Sequence, residues 1–409
     1  MKISNSYNSN LHMKPSRFSG TNIRIRRSNR VLLIEPAYTT KYPPLGLMKI
    51  STFHKMKKDE VVFNKGNNAS IRDQHWDRIY ITTLFTFQWN ITIETIKFYQ
   101  RNKVGCDIKV GGILASLLKD KLANETGIQS HFGLWDEVDR LHPDYSLTDT
   151  NDYKVSNASI GYMTKGCPNH CSFCAVHKIE PNYIDYIPLK HQLGSDKKDL
   201  ILLDNNVLAS SKFEFIIDDI KNNGFYKGAK FGKSLRSVDF NQGVDARLLT
   251  EDKMYLLSQI AIFPLRIAFD DIKLEPVYIE KIRLAARYGI KRLSNYILFN
   301  FNDNPDDFYR RLKINIELNE ELGLSIFSFP MKYIPLEEID RKYIGKNWTA
   351  SQLRGIQCIL HATHGVVGPK RPFFEKAFGR SVDEFRFIIE QPEEAIFNRS
   401  RMIEYRCVV

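Results

Sequence analysis

Three cysteines lie close together in the run Gly166-Cys-Pro-Asn-His-Cys-Ser-Phe-Cys174. Their CxxxCxxC spacing places three thiols on one short loop, directly after an apolar run from Ala158 to Met163 that predicts a β-strand. Three thiolates can bind three irons of a four-iron four-sulfur cluster and leave the fourth iron without a protein ligand. No second CxxC and no histidine pair follows at a zinc-finger offset. The spacing therefore favours a cluster with one open iron over the alternatives, a zinc site or a redox-active thiol loop.

Composition limits the class of protein and its compartment. A chain of 409 residues predicts two or three packed units, and 43% hydrophobic with 26% charged residues is ordinary for a globular protein. No apolar stretch approaches the roughly 18 residues of a membrane span, and no secretory segment is visible, so no membrane partner is expected. Six cysteines, half of them clustered, are not typical of a disulfide framework. We therefore expect a cytoplasmic protein.

The net charge of +12 is concentrated at the N-terminus. Residues 1–30 contain seven basic and no acidic residues, which leaves +5 for the rest of the chain. The segment is rich in Ser, Asn and Arg and has no apolar periodicity, so residues 1–29 are expected to form a basic, disordered tail. Contact with RNA through this tail is one hypothesis, and a solvated extension is the alternative that we favour.

Apolar runs alternate with helical patterns between residues 30 and 150, which predicts βαβ units and a small Rossmann-like domain. The predicted strands are Val31–Glu35, Glu60–Phe63, Arg78–Thr83 and Asp107–Val110. The predicted helices begin near Met48 and cover Ile93–Arg101 and Leu114–Leu122.

Residues 151–335 repeat the strand-helix pattern six times, with the cysteine loop after the first strand. The predicted strands are Ala158–Met163, Leu200–Leu203, Ser237–Phe240, Leu265–Phe269, Leu293–Phe299 and Leu324–Phe329. The predicted helices are Lys212–Asn222, Glu251–Ile260, Pro276–Tyr288 and Pro305–Leu322. Residues 336–409 are expected to form a helical, basic C-terminal extension. The overall fold class is α/β.

The cysteine spacing, together with six βα units, resembles the radical SAM superfamily. That resemblance implies a partial (β/α)6 barrel with its chemistry at the carboxyl ends of the strands. It also implies that Cys167, Cys171 and Cys174 bind a 4Fe-4S cluster, and that S-adenosylmethionine (SAM) is cleaved reductively to a 5'-deoxyadenosyl radical. The radical would abstract hydrogen from an organic substrate, and the electron would come from a donor such as flavodoxin or ferredoxin.

The N-terminal part resembles the cobalamin-binding-type domain of one branch of this superfamily. The similar segments are Tyr42-Pro-Pro-Leu-Gly-Leu47, the strand end Thr82–Thr86 and the Val110-Gly-Gly-Ile113 turn, whose glycines permit close backbone approach to a flat ligand. The DxHxxG signature that supplies a histidine ligand to cobalt is absent. Cobalamin without a protein ligand to cobalt stays open, but we favour a domain that shapes or caps the active site.

The second barrel strand ends in Asp204-Asn-Asn206. Many members of the superfamily have a Gly-Gly-Glu run here, whose backbone helps to bind the methionine amino group. The resemblance therefore makes Asp204 and Asn205 candidates for SAM binding. The alternative is a turn that caps the next helix.

The third strand is followed by the densest polar run, Asp239-Phe-Asn-Gln-Gly-Val-Asp-Ala-Arg247. Alternate residues of a strand share a face, so Asp239, Asn241 and Gly243 are expected on one face and Phe240 and Gln242 on the other. Unpartnered buried polar groups would each cost about 1–3 kcal/mol unless a polar ligand binds them. By resemblance, Asp245 and Arg247 are candidates for the SAM carboxylate and ribose, with Asn241 and Gln242 facing SAM or substrate. A salt bridge between Asp245 and Arg247 is the alternative.

The fourth strand ends in Asp270 and Asp271. Asp270 could hydrogen-bond a ribose or act as a base toward the substrate. Asp271 has the alternative role of capping the helix that follows.

Three other functions stay open. Within the superfamily they are cobalamin-dependent methyl transfer and modification of RNA. Outside it, a structural cluster could serve a nucleic-acid-binding protein, but the polar third strand argues against this because a structural cluster needs no such pocket. The sequence does not identify the substrate.

Overall fold

Two parallel β-structures and a group of C-terminal helices make up the computed structural model, which describes residues 28–101, 105–148 and 152–401. Residues 1–27 of the expected basic tail lie outside the described residues, as does the extension beyond residue 401. Within the described ranges, no helix is long and apolar enough to cross a membrane.

The N-terminal sheet has four parallel strands in the order β2-β1-β3-β4. They are β1 (Arg30–Glu35), β2 (Glu60–Lys65), β3 (Arg78–Thr83) and β4 (Asp107–Gly112). The central strand β1 is buried from Val31 onward because helices cover both faces of the sheet, as in Rossmann-like folds. The fold class predicted for this part is confirmed.

Six helices accompany this sheet. They are α1 (Leu45–Met56), α2 (Ala69–Arg72), α3 (Trp89–Gln100), α4 (Ile113–Leu117), α5 (Lys119–Thr126) and α6 (Asp136–Asp139). The prediction of one helix over Leu114–Leu122 is wrong, because Leu118 leaves helical geometry at φ −116° and divides it into α4 and α5.

The barrel contains six parallel strands in chain order. They are β5 (Ala158–Gly161), β6 (Asp199–Leu202), β9 (Val238–Phe240), β10 (Leu265–Arg266), β11 (Arg292–Phe299) and β12 (Ser325–Lys332). Parallel bridges from Val238 to Ile262 and from Val244 to Ile267 join the first three strands to the last three. An antiparallel hairpin of β7 (Lys230–Phe231) and β8 (Ser234–Leu235) precedes β9 and was not predicted.

Helices pack on the outside of this barrel. They are α8 (Phe213–Ile220), α9 (Glu251–Leu257), α10 (Glu275–Arg287) and α11 (Pro305–Leu322). The short helix α7 (Val176–Ile179) lies instead in the segment between the cysteines and Ile184 and contacts α4. The predicted bounds of α11 are confirmed, since the Asn304 side chain caps its first turn and Gly323 ends it in the left-handed conformation. The predicted partial (β/α)6 barrel is therefore present.

Up to residue 401, where the described part of the chain ends, four helices follow the barrel. They are α12 (Ala350–Ala362), α13 (Arg371–Phe378), α14 (Val382–Glu390) and α15 (Glu393–Arg401). They share an aromatic core with α11, built around Phe308, Phe374 and Phe385. At Gly355 of α12 a Cβ atom would lie 2.0 Å from the Ile389 carbonyl oxygen of α14, so only glycine permits this helix contact. The predicted helical extension is confirmed.

Candidate functional site

The cysteines lie on a closed loop at the carboxyl end of β5. Lys165 and Ile184 form an antiparallel bridge that ties the two sides of the loop together. Gly166 has φ +71°, and a Cβ atom there would lie 2.6 Å from the Asn182 carbonyl oxygen. Because no other residue fits without displacing the backbone, the glycine before the first cysteine fixes the entry of the loop.

Glu180 connects this loop to the end of β6. Its Oε2 atom accepts hydrogen bonds from the Gly166 amide at 2.8 Å and from Asn205 Nδ2 at 3.1 Å. Asn205, a predicted SAM ligand, is therefore placed beside the cysteine loop, where its side chain positions the loop. Sequence reasoning missed Glu180, which carries no local signal beyond being a carboxylate near the cysteines.

The three thiols are partly exposed, and the described cysteines form no disulfide. Cys167 Sγ lies 3.4 Å from the Asn169 amide nitrogen and 3.6 Å from Asn206 Nδ2, both of which donate to sulfur. Burial raises the pKa of the Cys171 and Cys174 thiols, while nearby Arg247 acts in the opposite direction on Cys171. Donors to sulfur are the groups that tune an iron-sulfur cluster.

The fit of a 4Fe-4S cluster to this loop depends on the donor atoms that the loop offers. Among the residues that the structure describes, no three His, Cys, Asp or Glu side chains are grouped to hold a metal ion as they stand. The three thiols nevertheless match the cluster chemically, because all three are free and lie on one closed loop. Besides burial, charges on Cys171 and Cys167 would raise the pKa of the Cys174 thiol, which shows that the three sulfur atoms lie near one another. A four-iron cluster also holds its sulfur ligands farther apart than one ion does. The triad therefore remains the candidate cluster site.

Asp204 contacts the residues that lead from β5 into the cysteine loop, and its side chain is buried, with 1% of the residue exposed. Its carboxylate accepts hydrogen bonds from the Met163 and Thr164 backbone amides and from the Thr164 hydroxyl at 2.7 Å. Burial raises the pKa of this carboxyl to about 6 despite these donors. The structure thus places Asp204 where it fixes the start of the cysteine loop, and its predicted contact with SAM stays a prediction.

The polar run after β9 differs from the strand that the sequence predicts. The strand ends at Phe240, so the two-residue alternation does not extend to Gly243, and that part of the prediction is wrong. The backbone turns here because Gly243 has φ +84°. Gln242 is exposed to solvent, whereas Asn241 is buried.

Asn241 joins the barrel to the N-terminal domain. Its Nδ2 atom donates to the hydroxyl of Tyr42 at 2.8 Å, and its carbonyl oxygen accepts from the hydroxyl of Tyr296 at 2.8 Å. Tyr42 belongs to the loop whose sequence resembles the cobalamin-type domain. The predicted site residue is therefore held between two tyrosines, neither of which was predicted to lie in the site.

A buried ion pair between Arg266 of β10 and Asp239 of β9 lies next to Asn241. Arg266 donates from Nε and Nη2 to the two carboxylate oxygens of Asp239 at 2.7 and 2.8 Å, and its Nη1 donates to Ser294 Oγ at 2.9 Å. Its guanidinium carbon lies 5.8 Å from the centroid of the Tyr296 ring. An arginine within an apolar strand is the signal that could have found this pair, because a buried cation requires a partner.

Asp245 and Arg247 form a bidentate salt bridge that contacts the cysteine loop through Asn169. Arg247 donates to the Asp245 carboxylate at 2.8 and 2.7 Å, and Asn169 Nδ2 donates to the same carboxylate at 3.1 Å. These donors hold the pKa of Asp245 below its usual range although burial opposes them. The alternative that the sequence left open, a salt bridge between the two residues, is present, and it lies beside the thiols.

Asp270 completes this side of the site. Burial raises the pKa of its carboxyl to about 6, and its charge acts on Cys171, Cys174 and Arg247. In the described part of the chain, no group donates a hydrogen bond to this carboxylate. Arg311, which sequence reasoning missed, is fully buried and donates to the Asp270 backbone carbonyl at 3.1 Å.

The loop after β10 separates the two neighbouring aspartates. Asp271 is exposed and accepts a hydrogen bond from the Lys273 amide, which caps the short turn at Ile272–Leu274. The capping role left open for Asp271 is confirmed, and of these two aspartates it is Asp270 whose charge acts on Cys171 and Cys174.

The two glycines at the end of β4 differ in how closely they are packed. At Gly112 a Cβ atom would lie 2.2 Å from the Thr83 carbonyl oxygen of β3, so glycine is required for contact with the neighbouring strand. At Gly111 the nearest atom, Cβ of His131, is 3.7 Å away, which is an ordinary contact. Strand packing therefore explains Gly112 without a flat ligand, whereas a Cβ atom would fit at Gly111 and packing does not require that glycine.

No protein-family model matches the chain, and no curated protein matches it. Six chains of solved structures match its fold. One is the radical S-adenosylmethionine methyltransferase TsrM from Kitasatospora setae with cobalamin and a [4Fe-4S] cluster bound. It has a TM-score of 0.53 and 13% identity, over 81% of this chain and 78% of that one.

Another structure of TsrM from Kitasatospora setae contains the tryptophan substrate and the SAM analogue aza-SAM. Its TM-score is 0.52 at 14% identity, over 71% of this chain and 72% of that one. At this identity the likeness shows a shared fold. It confirms the predicted fold of a Rossmann-like domain followed by a partial (β/α)6 barrel.

Proposed function

We propose that this protein is a radical SAM enzyme, in which Cys167, Cys171 and Cys174 bind a 4Fe-4S cluster. When bound, such a cluster supplies one electron that cleaves SAM to methionine and a 5'-deoxyadenosyl radical. One observation carries the proposal: a closed loop with three free thiols lies at the carboxyl end of the first of six parallel barrel strands. Active sites of such barrels lie at that end.

The side chains around the thiols have two proposed roles: some position the cysteine loop and others bind SAM. Asp204 and Glu180 accept hydrogen bonds from loop amides, so their role in the proposal is to hold the loop in shape. The Asp245–Arg247 pair and Asp270 lie near enough to act on the charge of the Cys171 thiol, and they are the proposed contacts for SAM. Arg247 Nε and Nη2 already donate to Asp245, so the SAM carboxylate would bind the remaining N–H groups of the guanidinium. A carboxylate such as Asp270 can accept hydrogen bonds from a ribose.

Asn241, the Asp239–Arg266 pair and the two tyrosines line the adjoining part of the barrel. Tyr42 closes this wall from the N-terminal domain, since its hydroxyl is bonded to Asn241. Half-buried aromatic rings and a fixed polar pair are the lining of a site for a small organic molecule. We propose that the substrate binds here, between the barrel and the N-terminal domain, where Gln242 is also exposed.

Cobalamin-dependent methyl transfer is the second candidate function. One observation favours it: the matched TsrM structure contains cobalamin as well as a [4Fe-4S] cluster, and its likeness extends over 81% of this chain. Gly112 of β4 gives no independent support, because strand packing explains it. Hydrogen abstraction and methyl transfer therefore need to be distinguished by their products.

The first experiment counts iron after anaerobic reconstitution. We expect about four irons per chain in the wild type and loss of the visible absorption band in Cys167→Ala, Cys171→Ala and Cys174→Ala. Cys106→Ala is the matched control, since Cys106 is also partly exposed but lies in the N-terminal domain, directly before β4. Full iron content in all three loop variants would refute the cluster site.

The second experiment identifies the products of SAM after reduction. 5'-Deoxyadenosine and methionine are expected from the wild type, and neither from Cys171→Ala. S-adenosylhomocysteine that forms only after cobalamin is added would favour methyl transfer. Absence of every SAM product, with the cluster loaded, would contradict both functions. Flavodoxin or ferredoxin can replace the chemical reductant to test the expected electron donor.

A further inference from the structure

A surface outside the proposed site is formed by residues 226–236, here called the basic hairpin. It contains β7 and β8 and leads through Ser237 into the amino end of β9. The cysteine loop, in contrast, follows the carboxyl end of β5, which runs parallel to β9 in the same sheet. The hairpin and the thiols therefore lie at opposite ends of the barrel.

The basic hairpin carries positive charge without acidic neighbours in its own sequence. Residues 226–236 contain four basic and no acidic side chains. Lys227, Lys230 and Lys233 are exposed, and none of the three forms an ion pair with any residue that the structure describes. Such unpaired lysines are free to neutralise a row of negative charges on a ligand.

Apolar side chains alternate with these cations and also face solvent. Tyr226 is 54% exposed, Phe231 39% and Leu235 62%. The ladder pairs Lys230 with Leu235 and Phe231 with Ser234, so the two pairs occupy opposite faces of the hairpin. Both faces combine polar groups with a large apolar side chain.

Arg236 supports the ring of Phe231. Its guanidinium carbon lies 5.5 Å from the ring centroid, and its Nη1 atom donates to the Asn223 and Gly224 carbonyl oxygens at 3.4 and 3.2 Å. The arginine is thus fixed in place, and the ring that it contacts keeps part of its surface open. A ring held in this way loses little entropy when a planar group stacks on it.

From this surface we infer that the basic hairpin binds single-stranded nucleic acid. Lysines that follow a phosphate backbone, with exposed rings on which bases stack, are the means by which proteins bind single strands without sequence preference. A protein partner fits less well, because lysine is depleted in protein interfaces. The inference is independent of the proposed function, because no residue of the basic hairpin contacts the thiols.

The test uses the full chain and a fluorescein-labelled oligouridine of about 12 nucleotides, with binding followed by fluorescence anisotropy. Affinity should fall as KCl rises from about 50 to 200 mM. The triple variant Lys227→Gln, Lys230→Gln, Lys233→Gln should reduce the slope of log affinity against log salt by about 2, since each lost phosphate contact removes about 0.7. Phe231→Ala should weaken binding about 5-fold or more and leave the slope unchanged.

The matched control replaces three exposed lysines elsewhere, Lys119→Gln, Lys190→Gln and Lys346→Gln, and should retain the wild-type slope. Residues 1–27 are present in every variant, so their contribution to binding cancels. Equal slopes in the two triple variants would overturn the inference. A second contrary outcome is that a labelled oligoglutamate peptide binds as tightly as the RNA and that Phe231→Ala weakens the binding of neither ligand. The surface would then bind acidic segments by charge alone, and the inference would be overturned.

Discussion

The ends of barrel strands β6 and β10 each carry an aspartate whose pKa is raised to about 6 by burial, yet the two carboxylates have different surroundings. Asp204 is saturated by donors from Met163 and Thr164. Asp270 has no described donor and faces Cys171 and Arg247. A raised pKa therefore does not by itself identify a functional carboxylate. A carboxylate whose oxygens already accept hydrogen bonds from the protein is a positioning residue, whereas one without such donors is a candidate to bind a ligand.

The largest effect is expected at the β6 end. Asp204→Ala leaves the buried amides of Met163 and Thr164 without an acceptor, at about 1–3 kcal/mol each. We expect the free energy of unfolding to fall by about 3 kcal/mol or more, measured by urea denaturation. Asp270→Ala is the matched control and should cost less than about 1 kcal/mol, because no described donor loses a partner. If both variants lost the same free energy of unfolding, Asp204 could not be distinguished from Asp270 as a positioning residue.

The pH dependence of stability sharpens the same comparison. The folded pKa of Asp204, about 6, lies above the ordinary value of 3.8, so its contribution to stability is fully present below that value and is lost as pH rises through 6. Relative to Asp204→Asn, the wild type should lose about 3 kcal/mol between about pH 4 and pH 7. Denaturation at a series of pH values measures this difference, and parallel profiles for the two proteins would contradict it.

A smaller effect is expected on ligand binding at the β10 end. If Asp270 accepts a hydrogen bond from SAM, Asp270→Asn should weaken SAM binding about 10-fold, or about 1.4 kcal/mol, with iron content unchanged. Equilibrium dialysis of the reconstituted protein measures the affinity. Asp271→Asn should bind like the wild type, because Asp271 caps a turn on the surface. Identical affinity in all three proteins would exclude Asp270 as a ligand.

The smallest effect concerns the connection between the cysteine loop and the salt bridge after β9. Asn169→Ala removes one hydrogen bond to Asp245, whose carboxylate keeps both contacts with Arg247. A loss of about 1 kcal/mol in stability with full iron content is expected, measured by denaturation and iron analysis of one preparation. Loss of the cluster would show instead that Asn169 is essential to the loop.

The sequence determined the cysteine triad, the six barrel strands and the bounds of α11, because each is set by residues close together in the chain. Cysteine spacing, apolar runs and the Asn304-Pro305 cap act within a few residues, so local chemistry is sufficient to read them.

Only the tertiary structure decided which polar side chains face the thiols. The Asn241–Tyr42 hydrogen bond joins residues 199 positions apart, and the bond from Thr164 to Asp204 joins residues 40 positions apart. Asp204, Asp245 and Asp270 are equivalent in the sequence, as carboxylates near the ends of parallel strands. Packing fixes which donors surround each one, and the energy of a buried charge depends on those donors rather than on its neighbours in the chain.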